Sequence, residues 1–139
     1  MRVTHYVLDA CAVIAFLTGE EGAERVKNLL EAAAESSAEV HIHRVNLLEV
    51  YYDTYKVGGS EQADRIYKKI FALPISVEDA LDDTLLYRAG ELKAMNRISL
   101  ADAIALALTS SLGAVLVTSD HHEFDTIEAT ERISFMWIR

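Results

Sequence analysis

The sequence is poor in cysteine and proline. It has one cysteine, Cys11, and one proline in 139 residues, which excludes an internal disulfide and argues against a disulfide-rich secreted scaffold or a proline-rich disordered chain. A lone cysteine is compatible with a reducing compartment, so we expect a cytoplasmic protein. With six glycines and 51% apolar residues, the composition is that of a folded protein, and we expect a single domain over residues 1–139.

Long hydrophobic runs are also missing from the sequence. The longest uncharged stretch, residues 103–119, contains hydroxyl side chains and a glycine, and it falls short of the about 20 consecutive apolar residues that cross a bilayer. Residues 1–19 imitate a signal peptide only loosely, because Asp9 interrupts the apolar segment and no small-residue cleavage site follows. We therefore expect neither a membrane span nor secretion.

Basic residues are scarce relative to acidic ones. The chain has 13 Lys and Arg against 22 Asp and Glu, which gives a formal net charge of −9. This balance argues against a broad phosphate-binding surface, since binding to nucleic acid through counterion release requires clustered cations. The excess acids are explained by a solvated surface, by attraction for a basic partner, or in part by a metal site.

Apolar periodicity indicates that strands and helices alternate along the chain. Strands are predicted at residues 3–8, 40–45, 114–118 and 133–138, a short strand or an extended link at residues 73–77, and a polar loop over residues 121–132. Helices are predicted at residues 10–17, at 20–35, from Asn46 to the Gly58-Gly59 break, from Ser60 to Phe71, at 80–95, and between a Ser99 cap and Gly113. This order favours an α/β fold, a three-layer sandwich in which a central, mostly parallel sheet of about five strands is flanked by helices.

Asp9 is the one charged side chain within the apolar residues 6–16. Burying an ionised carboxylate without partners is costly, so Asp9 needs hydrogen-bond donors, a cation or access to water. It lies at the junction of the first predicted strand and helix. In α/β proteins ligands usually bind at the carboxyl ends of strands, which makes Asp9 a candidate site residue.

Three further acids are predicted to lie at the same edge of the sheet. Asp120 ends the fourth predicted strand, whereas Glu49 and Asp102 lie in the predicted first turns of helices. All four carboxylates could therefore face one crevice. The alternative is purely structural, with Asp9 as an N-cap, Asp120 as a turn residue, and two capping boxes formed by Asn46-x-x-Glu49 and Ser99-x-x-Asp102.

Carboxylates grouped in one pocket repel one another unless a divalent cation binds to them. Oxygen ligands with retained waters suit Mg²⁺ or Mn²⁺, and such a metal lowers the pKa of a bound water and offsets charge on a phosphoryl group. The chemistry predicted for this set is metal-dependent hydrolysis of a phosphodiester without a side-chain nucleophile.

Three segments, in this order, resemble the PIN domain and in particular the toxin ribonucleases of VapBC toxin–antitoxin pairs: YVLDACAVIAFL, RVNLLEVYY and ISLADAIALALTSSLGAVLVTSD. The resemblance covers nearly the whole chain. It implies a parallel sheet between helices, an Mg²⁺- or Mn²⁺-dependent endoribonuclease acting on RNA such as tRNA, rRNA or mRNA, a cognate antitoxin and a homodimer. It also implies that Asp9, Glu49, Asp102 and Asp120 form the acidic cluster, and that Thr118 or Ser119 is the hydroxyl residue preceding the last acid.

Two features depart from the family pattern. Cys11 stands where Ser or Thr is usual, and a thiol is a poorer hydrogen-bonding partner for a carboxylate or phosphate. After Asp120 the usual basic residue is replaced by His121-His122, of which His121 could contact substrate phosphate. Asn46 and Asp125 are further candidates for contacts behind the acids, although Asp125 also fits a surface loop.

Histidines and tyrosines suggest two other kinds of site. His41-x-His43, together with His121-His122, suggests zinc, although no cysteine or third histidine has matching spacing. Three tyrosines at helical spacing could stack on bases or pack in the core or a dimer surface: Tyr51, Tyr52 and Tyr55.

Two other functions remain as alternatives. An aspartyl phosphatase would need a second acid where Cys11 stands. A PIN-like module that binds a protein partner without catalysis, or with weak catalysis, is the main alternative. The presence of all four acids favours the nuclease over this module.

Overall fold

Parallel strands and helices alternate along residues 2–139, which the computed structural model describes. Within these residues there are five strands and six helices: β1 (Thr4–Leu8), α1 (Ala10–Thr18), α2 (Ala23–Ala34), β2 (Ala38–His43), α3 (Arg44–Phe71), β3 (Ser76–Glu78), α4 (Asp83–Met95), α5 (Leu100–Leu112), β4 (Val115–Thr118), α6 (His121–Thr130) and β5 (Ser134–Trp137). The predicted α/β sandwich with a parallel five-stranded sheet is confirmed.

The sheet has the strand order β3-β2-β1-β4-β5, and every neighbouring pair is parallel. From β1 the chain first moves outward through β2 to β3, and it then crosses back to β4 on the other side of β1. The neighbouring strands β1 and β4 therefore flank a topological switch point, where the connections leave in opposite directions. Their carboxyl ends open the crevice in which ligands of such sheets bind.

Alternating residues of the central strands fill two separate cores. Val7 of β1 packs with the apolar residues of α4, α5 and α6 on one face of the sheet. Leu8, the next residue, packs with α1, α2 and α3 on the opposite face. Both faces of the sheet are thus covered around its centre, which explains why β4 is a nearly continuous apolar run.

The loop predicted over residues 121–132 is wrong, because residues 121–130 form α6. Asp120 caps this helix by accepting a hydrogen bond from the Glu123 amide at 3.1 Å. Only Phe124 and Ile127 are buried from it, with 0% and 1% of their surface exposed. Two apolar residues are too few to give a clear helical period, although they anchor the helix to the core.

The start of α3 also differs from the prediction. The helix begins at Arg44, so β2 ends at His43 and the predicted capping box Asn46-x-x-Glu49 does not exist. The cap is His43, whose Nδ1 accepts a hydrogen bond from the Val45 amide at 3.0 Å. Histidine is not among the usual N-cap residues, so no local pattern indicated this start.

Other predicted boundaries agree within a few residues. Ser99 caps α5 and Gly113 ends it in the left-handed conformation, as expected. The predicted break at Gly58-Gly59 is a non-helical residue, Gly59, within α3. The helix predicted from residue 80 begins instead at Asp83, because the Asp82 side chain caps it. Among residues 2–139, no helix combines the length and apolar character needed to cross a membrane.

Gly22 lies in the turn between α1 and α2, next to the residue that follows β5. Its φ is +99°, and an added Cβ would lie 2.7 Å from the carbonyl oxygen of Ile138. Gly19 also has a positive φ, +70°, but a Cβ there would have nothing within 4 Å. A residue with a side chain would be strained at both positions. At Gly22 the side chain would also push the backbone away from Ile138.

We expect Gly22→Ala to lower the free energy of unfolding by about 2 kcal/mol or more, and Gly19→Ala by about 1 kcal/mol, the usual cost of a left-handed residue with a side chain. Urea unfolding of the two variants beside the wild type measures the difference. Equal losses in the two variants would show that the contact with Ile138 contributes nothing.

Candidate active site

Two of the predicted acids lie at the switch point of the sheet. Asp9 directly follows β1, and Asp120 follows β4 after one intervening residue. The Asp9 amide donates to the carbonyl oxygen of Val117 at 3.3 Å, so the strand pairing continues up to the first acid. The two carboxylates thus start from adjacent strand ends.

The hydroxyl of Thr118 connects these two acids. It donates a hydrogen bond to Asp9 Oδ2 and accepts one from the Asp120 amide at 3.0 Å. Asp9 Oδ1 accepts from the Ala12 amide at 2.9 Å, which makes Asp9 the N-cap of α1. Thr118 is fully buried and Asp9 is 3% exposed, so this contact is shielded from water. Of the two predicted hydroxyl residues, Thr118 therefore makes the contact with Asp9.

Burial changes the pKa of Asp9 more than these hydrogen bonds do. Loss of hydration raises the pKa of Asp9 from 3.8 to about 7, although the bonds from Thr118 and Ala12 lower it, and the charges of Asp102 and Asp120 raise it further. A carboxyl that is both buried and close to other acids favours its protonated form near neutral pH.

Asp102 enters the pocket from the first turn of α5. Its amide donates to Ser99 Oγ at 3.1 Å, so the capping box predicted from the sequence fixes the position of this residue. Asp102 is 8% exposed, and its burial raises its pKa from 3.8 to about 6, with the charges of Asp120 and Glu123 adding to the rise and hydrogen bonding to Ser99 opposing it.

Glu49 reaches the pocket from the second turn of α3, one turn later than predicted. It is half-buried. Its pKa is raised from 4.5 to about 7, mainly by burial and further by the charges of Asp102, Asp53 and Asp120. The charges of Asp102 and Asp120 raise the pKa of both Asp9 and Glu49, and the charges of all four acids act on Cys11. The structure thus brings together the four predicted carboxylates from four elements.

Asn46 holds α3 against α5 between two of the acids. Its side-chain amide donates to the carbonyl oxygen of Ala101 at 3.1 Å, next to Asp102, and Asn46 precedes Glu49 by about one helical turn. Asn46 is fully buried, and within residues 2–139 its Oδ1 has no hydrogen-bond partner. A buried oxygen without a donor is costly, so a water or cation in the pocket would satisfy it.

Asp125 and His121 lie outside the pocket in a surface network. The Asp125 side chain is 64% exposed and its Oδ1 is 2.8 Å from His121 Nδ1. The other ring nitrogen of His121 lies 2.9 Å from the carbonyl oxygen of Arg139, and the ring stacks on Trp137 at 3.9 Å between centroids. These two acceptors, Asp125 first, raise the pKa of His121. The surface position of Asp125 agrees with the alternative given for it above.

Sequence reasoning missed Glu123 and Asp53, whose charges act on the pocket. Glu123 lies in the first turn of α6, and its charge contributes to the raised pKa of Asp102. Asp53 lies one helical turn after Glu49 and raises the pKa of that residue. A capping-box pattern, Asp120-x-x-Glu123, and the four-residue spacing of Glu49 and Asp53 were the available signals.

Cys11 lies at the exposed rim of the acidic pocket. Local desolvation, followed by the charges of Asp9, Asp120, Glu49 and Asp102, raises the pKa of its thiol to about 12. The thiol is therefore protonated at neutral pH while the four acids carry their charges without a cation.

The donor set of the pocket fits a hard divalent cation. It consists of four carboxylates, and burial and neighbouring charges raise the pKa of Asp9, Glu49 and Asp102. Asn46, whose Oδ1 has no hydrogen-bond partner within residues 2–139, is bonded to the residue before Asp102. Oxygen-only sites of this kind suit Mg²⁺ or Mn²⁺ rather than the softer metals that thiolates and imidazoles prefer.

The raised pKa values predict a pH-dependent stability in the presence of a chelator. The folded chain keeps protons on Asp9 and Glu49 at pH values where the unfolded chain has released them, so the free energy of unfolding falls as pH rises from about 4 to about 7. We expect Asp9→Asn to make Tm less dependent on pH over this range and to raise Tm at neutral pH. Thermal unfolding at several pH values in EDTA measures this.

Asp79→Asn is the matched control, because it removes an exposed acid that does not contribute to the raised pKa of Asp9, Glu49 or Asp102. It should keep the wild-type pH slope. A wild-type slope in the Asp9→Asn variant would contradict the prediction.

Comparison with solved structures finds similar folds. The chain resembles VapBC-1 from nontypeable Haemophilus influenzae, with a TM-score of 0.71 and 20% identity over 97% of this chain and 98% of that chain. For DNA-bound VapBC from Salmonella typhimurium the TM-score is 0.75 and the identity is 18%, over 99% of this chain and 100% of that chain. VapC20 from Mycobacterium tuberculosis is described as a sarcin–ricin loop cleaving toxin. Its TM-score is 0.66 and its identity is 18%, over 91% of this chain and 95% of that chain.

Comparison with curated proteins gives no match. At 18–20% identity, the similar structures support the fold. The sequence itself matches the model of the PIN domain over residues 6–129, which is most of its length, and the chain therefore belongs to the PIN domain family.

Proposed function

We propose that this protein is a metal-dependent endoribonuclease and the toxin of a toxin–antitoxin pair. The observation that carries the proposal is the convergence of Asp9, Glu49, Asp102 and Asp120 at the switch point of the sheet, where burial and mutual charge raise the pKa of three of them. Acids with such perturbed pKa values in a crevice are typical of catalytic sites.

The four carboxylates would hold Mg²⁺ or Mn²⁺. When bound, such a cation lowers the pKa of a coordinated water and offsets charge on the phosphoryl group that is attacked. Thr118 orients Asp9 by its hydrogen bond, and Ser99 and Asn46 hold α5 and α3 in place beside it.

RNA is the substrate class that we propose, as tRNA, rRNA or mRNA. Support comes from family membership and from the likeness to VapC20, which is described as cleaving the sarcin–ricin loop. The net charge of −9 favours a small footprint on RNA, because a broad phosphate contact would need clustered cations.

Arg97 and His122 are candidates for contacts with RNA phosphate. They line a cavity together with Glu123, whose charge acts on Asp102 in the pocket. Both side chains are exposed, so they are accessible to RNA. These residues replace His121 in that role, since both ring nitrogens of His121 face acceptors.

An antitoxin is the protein partner that we propose, and several similar structures are VapBC assemblies. A basic antitoxin segment would be attracted by the net charge of −9. We also propose a cytoplasmic homodimer. Phe71, which is 50% exposed, and the half-buried Tyr67 leave an apolar surface on α3 that suits self-association.

Asp9→Asn should lower RNA cleavage by about 100-fold or more, because it weakens cation binding and removes a charge that the site holds next to the substrate. Cleavage of tRNA and rRNA by purified protein with Mg²⁺, and with EDTA as a second arm, measures this. Asp125→Asn should cut at the wild-type rate, and Tm measurements should show that both variants are folded. Wild-type cleavage by Asp9→Asn would falsify the assignment of the site.

Arg97→Gln should raise the KM for RNA several-fold and leave kcat nearly unchanged, since it removes a phosphate contact rather than a group at the reaction centre. The slope of log binding constant against log salt should become shallower by about 1. Lys27→Gln, which removes an exposed cation from α2, is the control and should leave both quantities unchanged. Identical salt slopes for Arg97→Gln and the wild type would count against this contact.

A further inference from the structure

A second group of metal-ligating side chains lies on the sheet itself, away from the acidic pocket. It consists of His5 on β1 and of Glu39 and His41 on β2. One ligand atom of each residue lies within 4.8 Å of the ligand atoms of the other two. His5 precedes Asp9 by four residues along an extended strand, so the group lies about 13 Å from the first acid of the pocket.

Parallel strand register brings these residues together. His5 lies opposite Glu39, and Val7 lies opposite His41. Residues two apart on a strand share a face, so the three side chains project from the same face of the sheet. Of the predicted pair His41-x-His43, only His41 belongs to this group, and its histidine partner His5 comes from a distant segment of the sequence.

The distances between the three ligand atoms suit a tetrahedral ion. His5 Nδ1 is 3.0 Å from His41 Nε2 and 3.1 Å from Glu39 Oε2, and His41 Nε2 is 3.9 Å from Glu39 Oε2. Zinc bound at about 2.0–2.1 Å by tetrahedral ligands needs ligand atoms about 3.3 Å apart. The three measured distances lie on both sides of that value, within about 0.6 Å of it.

Glu78 of the edge strand β3 orients His41. Its Oε1 lies 3.0 Å from His41 Nδ1, so this nitrogen donates to the carboxylate and Nε2 directs its lone pair towards His5 and Glu39. A carboxylate on the far nitrogen of a ligating histidine is the usual support of such ligands, because it fixes the tautomer and ring orientation.

His43 does not belong to this group, although it shares the face. Its Nδ1 accepts from the Val45 amide, and its Nε2 lies 2.9 Å from the carbonyl oxygen of Ala80, to which it donates. Both nitrogens are therefore used within the fold. This explains why the His41-x-His43 pair alone is not the zinc site that its spacing suggested.

The group is open to solvent on one side. The side chains of His5, Glu39 and Glu78 are 34%, 55% and 39% exposed, whereas that of His41 is 8% exposed. A cation can thus enter from water and keep a water molecule as its fourth ligand. Two imidazoles select zinc-like transition metals over Mg²⁺, which prefers oxygen.

We propose that His5, Glu39 and His41 form a Zn²⁺ site, with Glu78 as the residue that orients His41. The ion links β1 to β2 directly and β3 through Glu78, so it stabilises the folded sheet. This inference does not depend on the proposed nuclease function.

Isothermal titration of the full-length protein with Zn²⁺, in excess Mg²⁺ to fill the acidic pocket, tests this site. Glu78→Gln should weaken Zn²⁺ binding by about 10- to 100-fold, and His5→Gln and Glu39→Gln should weaken it more. Titration with Co²⁺ should give the visible absorption of a tetrahedral ion in the wild type and lose it in His5→Gln. Zn²⁺ should also raise the Tm of the wild type.

His122→Gln removes an exposed histidine outside the group and is the matched control, expected to bind Zn²⁺ as the wild type does. Because His5 and Glu39 are partly exposed, their variants should fold, and circular dichroism checks this. Equal Zn²⁺ affinity of the wild type and His5→Gln, no binding by the wild type, or loss of binding in Asp9→Asn but not in Glu39→Gln would each overturn the proposal.

Discussion

The hydroxyl of Thr118 is the contact on which the acidic pocket depends. It donates to the carboxylate of Asp9 and accepts from the amide of Asp120, so one side chain fixes a buried charge and the path of the next backbone segment. The ends of β1 and β4 are joined at the switch point by this contact. Asp102 and Glu49 then approach from helices that pack over the same junction.

The carboxyl groups of the acidic pocket lower the free energy of unfolding at neutral pH. Burial and like charges favour the protonated forms of Asp9, Glu49 and Asp102, and the hydrogen bonds to Asp9 from Thr118 and Ala12 offset only part of that effect. A fold that retains such a cluster gives up stability at this position, a common compromise at functional sites.

Local patterns predicted much of the fold and the candidate acids, and they failed where the determining contact is distant. Ser99 and Gly113 bound α5 as expected, because capping and apolar period agree there. Helix α6 was missed because it buries only two apolar residues, and the start of α3 because histidine rarely caps a helix. The His5 and His41 pair depends on parallel register, which has no local signal in the sequence.

The strand order also determines when the pocket can exist during synthesis. Asp9 leaves the ribosome early, but β4 pairs with β1 only after the chain has passed through β2 and β3. A nascent chain that ends before β4 holds Asp9 without Thr118 or Asp120. A domain built this way has no complete set of these acids until nearly all of it has been translated, so an incomplete product lacks the assembled pocket.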